Sequence, residues 1–211
     1  MAMLLVAGCF RGKLPALEFY RLGSPAVADD AVPDTGKRSL PPGAVDIATY
    51  FTPGIYGGRQ IAYFVADAGY GTYPSREWAV PLSDELGELT QTILAHTPIT
   101  SALALFDPPS RRHFSYVWRG RVRQFEEVDR GHSVFVAVAL DVRLARITDD
   151  SVVWSGAQSA ERAVPNPTMA NIVAALTDVA ADVLTRLALD ARAALAGLPA
   201  TRAASPTHPS R

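Results

Sequence analysis

The chain has 211 residues, 48% of them hydrophobic and 19% charged, with a formal charge of -1. A chain of this length can bury roughly 70% of its unfolded surface, so one domain or two small ones can fold without a metal or disulfide staple. The near-neutral balance supplies no chain-wide field to draw in nucleic acid or an anionic membrane.

The single cysteine, Cys9, excludes an intrachain disulfide. The histidines at 96, 113, 132 and 208 show neither an i,i+4 pair nor the Cys/His clustering of a zinc site, so no metal and no other cofactor is expected. No apolar run reaches the roughly 18 residues of a spanning helix.

Residues 1–9 close on Val6-Ala7-Gly8-Cys9 and resemble a bacterial lipobox, in which the cysteine sulfur carries diacylglycerol and becomes the mature first residue. A diacyl anchor contributes about 0.8 kcal/mol per buried CH2, enough with two chains to hold a soluble body at a bilayer. The residues before Cys9 are too few for a basic segment plus an apolar one. Either the true start lies upstream, or Cys9 is an inert free thiol at a tucked terminus.

Leu17–Leu22 is short, aromatic and β-compatible, and predicts an opening strand. Gly23–Gly43, with four prolines, predicts a surface connection. Ala44–Phe51 alternates, with Val45, Ile47, Thr49 and Phe51 on one side and Asp46, Ala48 and Tyr50 on the other, which predicts a strand. Gln60–Val65 predicts another, and the Gly/Tyr-rich stretch Asp67–Glu77 a loop.

Ser83 is placed to cap a helix whose apolar stripe is Leu82, Leu86, Leu89 and Ile93, ending before Pro98. Gly87 weakens that helix by about 1 kcal/mol, so packing must hold it. Leu103–Phe106 predicts a short strand. Phe114–Gln124 and Ser133–Arg146 flank a turn at Asp129-Arg130-Gly131 and predict a hairpin. A third strand starts at Val152 after Asp149-Asp150 and ends near Ala160, completing an antiparallel meander. The stripe from Met169 through Leu176 and Val183 to Leu187 predicts the longest helix, with Asp182 and Arg186 spaced for a weak pair.

These elements predict an α+β fold, an α/β sandwich: a mixed, largely antiparallel sheet with two main helices packed on one face. The domain layout expected is a short lipobox over 1–9, one domain over 10–197, and a fraying Pro/Ala-rich tail over 198–211.

The order of Phe19-Tyr20-Arg21-Leu22, Arg59-Gln60-Ile61-Ala62-Tyr63, Arg76-Glu77-Trp78-Ala79-Val80-Pro81-Leu82 and Val122-Arg123-Gln124-Phe125-Glu126 before a long final helix resembles the ABC-type transport auxiliary lipoprotein family, the PqiC-like group. The landmark residues are Tyr20, Arg21, Leu22, Arg59, Tyr63, Trp78, Pro81 and Leu82. The resemblance implies a body similar to the amino-terminal domain of TolB. It implies no catalytic residues. It also implies a periplasmic role beside an Mce-domain protein and an ABC transporter permease and ATPase, in movement of phospholipid or other hydrophobic compounds. Phe10 after Cys9 leans toward the outer membrane by family behaviour; a protein that truly starts at Met1 would be cytoplasmic.

No reacting centre stands out. There is no Gly-x-Ser-x-Gly elbow, and Gly54-Ile55-Tyr56-Gly57-Gly58-Arg59 lacks the Gly-Lys-Ser/Thr end of a phosphate loop. Arg119, Arg121 and Arg123 share one strand face with Trp118 and Val122 opposite. That face either docks an acidic protein surface or lipid headgroups, or is a solvated face balanced by Glu126, Glu127 and hairpin carboxylates. Too few aromatics interleave with it for nucleic-acid binding. Tyr70 and Tyr73 are open candidates for partner contact. In the alternative reading of a soluble lipid-binding module, their loop covers an apolar pocket, while Tyr63 and Trp78 are expected in core or sheet-edge packing, the core favoured.

Overall fold

A computed structural model describes residues 16–25, 40–110 and 113–197. Cys9, most of the connection before Gly43 and the tail after Gly197 lie outside the described residues. In chain order the elements are β1 (Glu18–Tyr20), β2 (Ala44–Ile47), a 3-10 turn (Gly54–Gly57), β3 (Gln60–Val65), β4 (Gly69–Trp78) and α1 (Leu82–His96). Then come β5 (Ala104–Phe106), β6 (Phe114–Asp129), β7 (Val134–Arg146), β8 (Val152–Ala163) and α2 (Met169–Ala196).

The described strands form one eight-stranded sheet. β6, β7 and β8 make the predicted meander and supply the long antiparallel pairings. On its other edge β6 is long enough for two partners in succession, β2 beside its first half and β3 beside its second, both parallel. β5 extends β2, and β4 then β1 extend β3. The fold class is the one the periodicity predicts.

Both helices cover the same face. All four residues of the α1 stripe are buried, and so are Met169, Ile172, Leu176, Val183 and Leu187 of α2. Thr168 caps α2 through the Asn171 amide at 3.3 Å. Arg162 of β8 latches the sheet to α2 through Asp178 and Asp182 at 2.9 and 2.8 Å. That latch takes the Asp182 carboxylate, so Arg186 donates instead to the Asp182 carbonyl at 3.2 Å.

Four local expectations are corrected. The opening strand stops at Tyr20 because Arg21 and the Leu22 amide turn to Glu85 on α1 and the Gly23 amide to Thr177 on α2. β2 stops at Ile47 and the alternation inverts: Tyr50 is buried, its hydroxyl sharing a hydrogen bond with Thr90 at 2.7 Å and accepting one from Trp118 Nε1 at 3.0 Å, while Phe51 turns outward. Tyr50 fits there because Gly120 has no side chain to meet its ring.

The Asp67–Glu77 stretch is mostly β4, a strand and not a loop, entered through Gly69 at φ +84°. Pro74 is tolerated because the ladder to β3 is irregular between Gln60 and Ala62, where no donor is missed. α1 begins one residue before Ser83. Pro81 precedes its first residue, its carbonyl accepts the Asp84 and Glu85 amides, and Ser83 bonds Asp84 instead of capping. Gly87 is where Phe106 of β5 lies against α1; a Cβ would collide with its ring. The glycine that weakens the helix thus admits the packing that holds it.

Candidate functional site

Cross-strand register separates the two faces of the meander. Trp118, Val122 and Phe125 of β6 stand opposite Leu144, Leu140 and Val138 of β7, all under the helices. Among the described residues no helix lies over the other face. There Arg119 stands opposite Arg143, and Arg121 opposite Asp141. The predicted arginine face therefore exists, and it includes Arg143, which the single-strand pattern of β6 could not supply.

Arg123 sits where the register shifts between Val122 and Gln124. The extra residue reverses the alternation, carrying Phe125 inward. Glu126 and Glu127 are buried and do not balance the arginines, contrary to the solvated reading. The balancing carboxylates are Asp150, 2.7 Å from Arg119, and Asp141, 2.7 Å from Arg123. Arg121 stacks over the exposed ring of Phe51 at 5.4 Å.

Glu126 and Glu127 are each met by a phenol. Tyr56 donates to Glu126 at 2.6 Å and Tyr73 to Glu127 at 2.7 Å. Burial, then the bond to the carboxylate, pushes both phenols far above their ordinary value. Burial raises the Glu127 carboxyl as well, opposed by the Tyr73 bond and by Arg76. Each pair holds its proton between a phenol and a carboxylate. Among the described residues no group of three His, Cys, Asp or Glu side chains could hold a metal.

The two candidate tyrosines part company. Tyr73 packs on Tyr63 at 4.9 Å and bonds Glu127 on the helix side. Tyr70 is exposed on the bare face, where it pairs with Phe64 at 4.9 Å in a row continued by Val128 and Phe135. Since both lie on β4, no tyrosine-rich loop covers a pocket among the described residues. Two open grooves of about 300 and 240 Å³ flank Arg21–Ser24, and neither is lined by Tyr70 or Tyr73.

The landmark residues gather into a knot joining the β1–β4–β3 edge to the helices. Arg59 donates to the carbonyls of Trp78 and Ala79 and lies 3.7 Å from Glu77. The Ala79 amide bonds the Tyr20 carbonyl at 2.7 Å. Arg21 bridges Glu85 and Glu88 at 3.1 and 2.7 Å, which offsets part of the upward push that burial gives Glu85. Leu22 packs against the core, Trp78 and Leu82 are inside it, and Pro81 starts α1. In this chain their role is scaffolding.

No family model and no curated protein matches the sequence. Among solved structures the fold is similar to protein XCC0632 from Xanthomonas campestris, of the family DUF330, with a TM-score of 0.61 and 18% identity over 74% of this chain and 91% of that one. A second, uncharacterized protein gives a TM-score of 0.60 and 14% identity over 83% and 99% of the two chains. Likeness at these identities establishes a shared fold: the eight-stranded sheet with two helices on one face is an architecture this chain holds in common with both.

Proposed function

We propose that this chain is a noncatalytic, lipid-anchored accessory component of an Mce-type ABC transport system that moves phospholipid or other hydrophobic compounds across the cell envelope. It acts by docking protein partners, with Cys9 as the lipidated anchor at the periplasmic side of a membrane, the outer one favoured. The observation that carries this reading is the bare sheet face: two helices close one side of the sheet, while the other presents arginines and exposed Phe51 and Tyr70. The ordered landmarks from Tyr20 to Leu82 supply the system it serves. ATP hydrolysis belongs to the partner.

Two measurements test it. Mass spectrometry of the protein from its own cells should find Cys9 as a diacylglyceryl-bearing first residue; a chain starting at Met1 with a free thiol in the cytosol overturns the anchor. A photocrosslinker at Ser155, exposed beside Arg143 on the bare face, should recover an Mce-domain protein together with its ABC transporter. Recovery of neither overturns the transport role.

A further inference from the structure

We infer that the bare face holds a recognition site for an extended acidic protein segment, centred on Arg121, Arg143 and the Phe51 ring. The inference rests on the docking reading above and names the chemistry of the partner.

Arg119, Arg121, Arg123 and Arg143 stand near Asp150 and Asp141, and both carboxylates are committed, Asp150 to Arg119 and Asp141 to Arg123; Glu126 and Glu161, on the same face by register, are taken by Tyr56 and Arg130. Asp141 is the cross-strand neighbour of Arg121, but the register shift places Arg123 to take it. Arg121 and Arg143 are therefore exposed guanidinium groups with no carboxylate partner among the described residues. Arg143 also stands directly across from Arg119, a like-charge pairing that is unfavourable in an isolated sheet. A bound anion relieves it.

The spacing selects the ligand. Arg121 and Arg143 are diagonal neighbours across two strands, about 7–8 Å apart. Side chains at i and i+2 of an extended chain lie on one side about 6.6 Å apart, so alternate Asp or Glu residues of a strand-like segment reach both. A guanidinium offers a carboxylate two parallel N–H donors, and that of Arg121 lies over the Phe51 ring at 5.4 Å.

A protein segment fits better than a lipid surface because the two unpaired guanidinium groups match the alternate-residue spacing of one extended chain, and an extended chain holds its carboxylates at that fixed interval.

The test uses the purified chain and a fluorescent peptide of five Glu-Ser repeats, with a Lys-Ser peptide and phosphatidylglycerol vesicles as comparators. Arg121→Glu and Arg143→Glu should each weaken Glu-Ser binding by at least about tenfold. Arg186→Glu, exposed on α2, should change it by less than about twofold. Thermal melts of each variant confirm that it folds, and Arg121→Ala provides a milder second measure. Equal loss in all three reversals, no preference over Lys-Ser, or Arg121-dependent vesicle binding without peptide binding overturns the site. If the Ser155 crosslink recovers the Mce assembly equally well from an Arg121→Glu/Arg143→Glu double variant, the site fails and the transport role stands. If the peptide binds as expected but no such assembly is recovered, the transport role fails and the site stands.

Discussion

The two faces of the β6–β8 meander share one backbone and divide its work. On the helix side Trp118, Val122, Leu140 and Leu144 are fully buried, and the Trp118 indole stacks on Trp154 with centroids 6.0 Å apart. On the bare side small residues such as Ala139 and Ala145 are buried as well, yet among the described residues no second layer lies over them, and the long side chains around them include arginines. One side is closed by apolar packing, the other by side chains whose charged ends stay in water. Damage to the first should appear as lost stability, damage to the second as lost binding.

The largest effect is expected inside. Trp118→Ala removes a fully buried ring and the N–H that Tyr50 accepts, and should lower unfolding stability by about 3–5 kcal/mol in urea titration. A loss below about 1 kcal/mol would mean that this face is not the core.

Two glycines test how closely that core is fitted. Gly120→Ala pushes a methyl into the Tyr50 ring, and Gly87→Ala into the Phe106 ring. In an open helix the second change would stabilise by about 1 kcal/mol. Here both should destabilise, by about 1–3 kcal/mol, because overpacking forces rings from their places. A higher melting temperature for Gly87→Ala would show that Phe106 can swing away.

Glu127 tests the boundary between the faces through pH. Burial raises its carboxyl, so the native state holds the proton to higher pH than the unfolded chain does. The stability this group contributes is complete below the ordinary carboxylate value of about 4.3 and is lost as pH rises through the raised native value. Glu127→Gln cannot titrate. The stability difference between the proteins should therefore move in favour of the variant as pH increases through that window, and parallel curves would place Glu127 in water.

The elements most legible in the sequence were those whose alternation spans many residues. β7 and α2 carry their burial pattern almost unbroken, and the outward arginines of β6 follow from the same period of two. Three features depended on something beyond local pattern. β4 reads as a loop because its glycines and proline disfavour a strand alone; pairing with β3 makes it one. Tyr50 inverts β2 because two polar partners, Thr90 and Trp118, wait inside. The extra residue at Arg123 decides which acids are buried and which arginine stands opposite Arg143, and one shifted residue reverses every later side chain. That local shift is invisible until the hairpin register is known.

The smallest effect separates the arginines from one another. The Arg123–Asp141 pair is short at 2.7 Å, but its side chains are 46% and 39% exposed, where solvent screening leaves such pairs about 0.2–1 kcal/mol. A double-mutant cycle of Arg123→Ala with Asp141→Ala should return a coupling in that range, measured by chemical unfolding. Its binding consequence is more informative than its stability. If Arg123 serves to occupy Asp141, Arg123→Ala frees that carboxylate to turn to Arg121, its cross-strand neighbour. Acidic-peptide affinity should then fall although Arg121 is untouched, and Asp141→Ala should restore it in the double variant. Loss without restoration would make Arg123 a direct contact for the peptide.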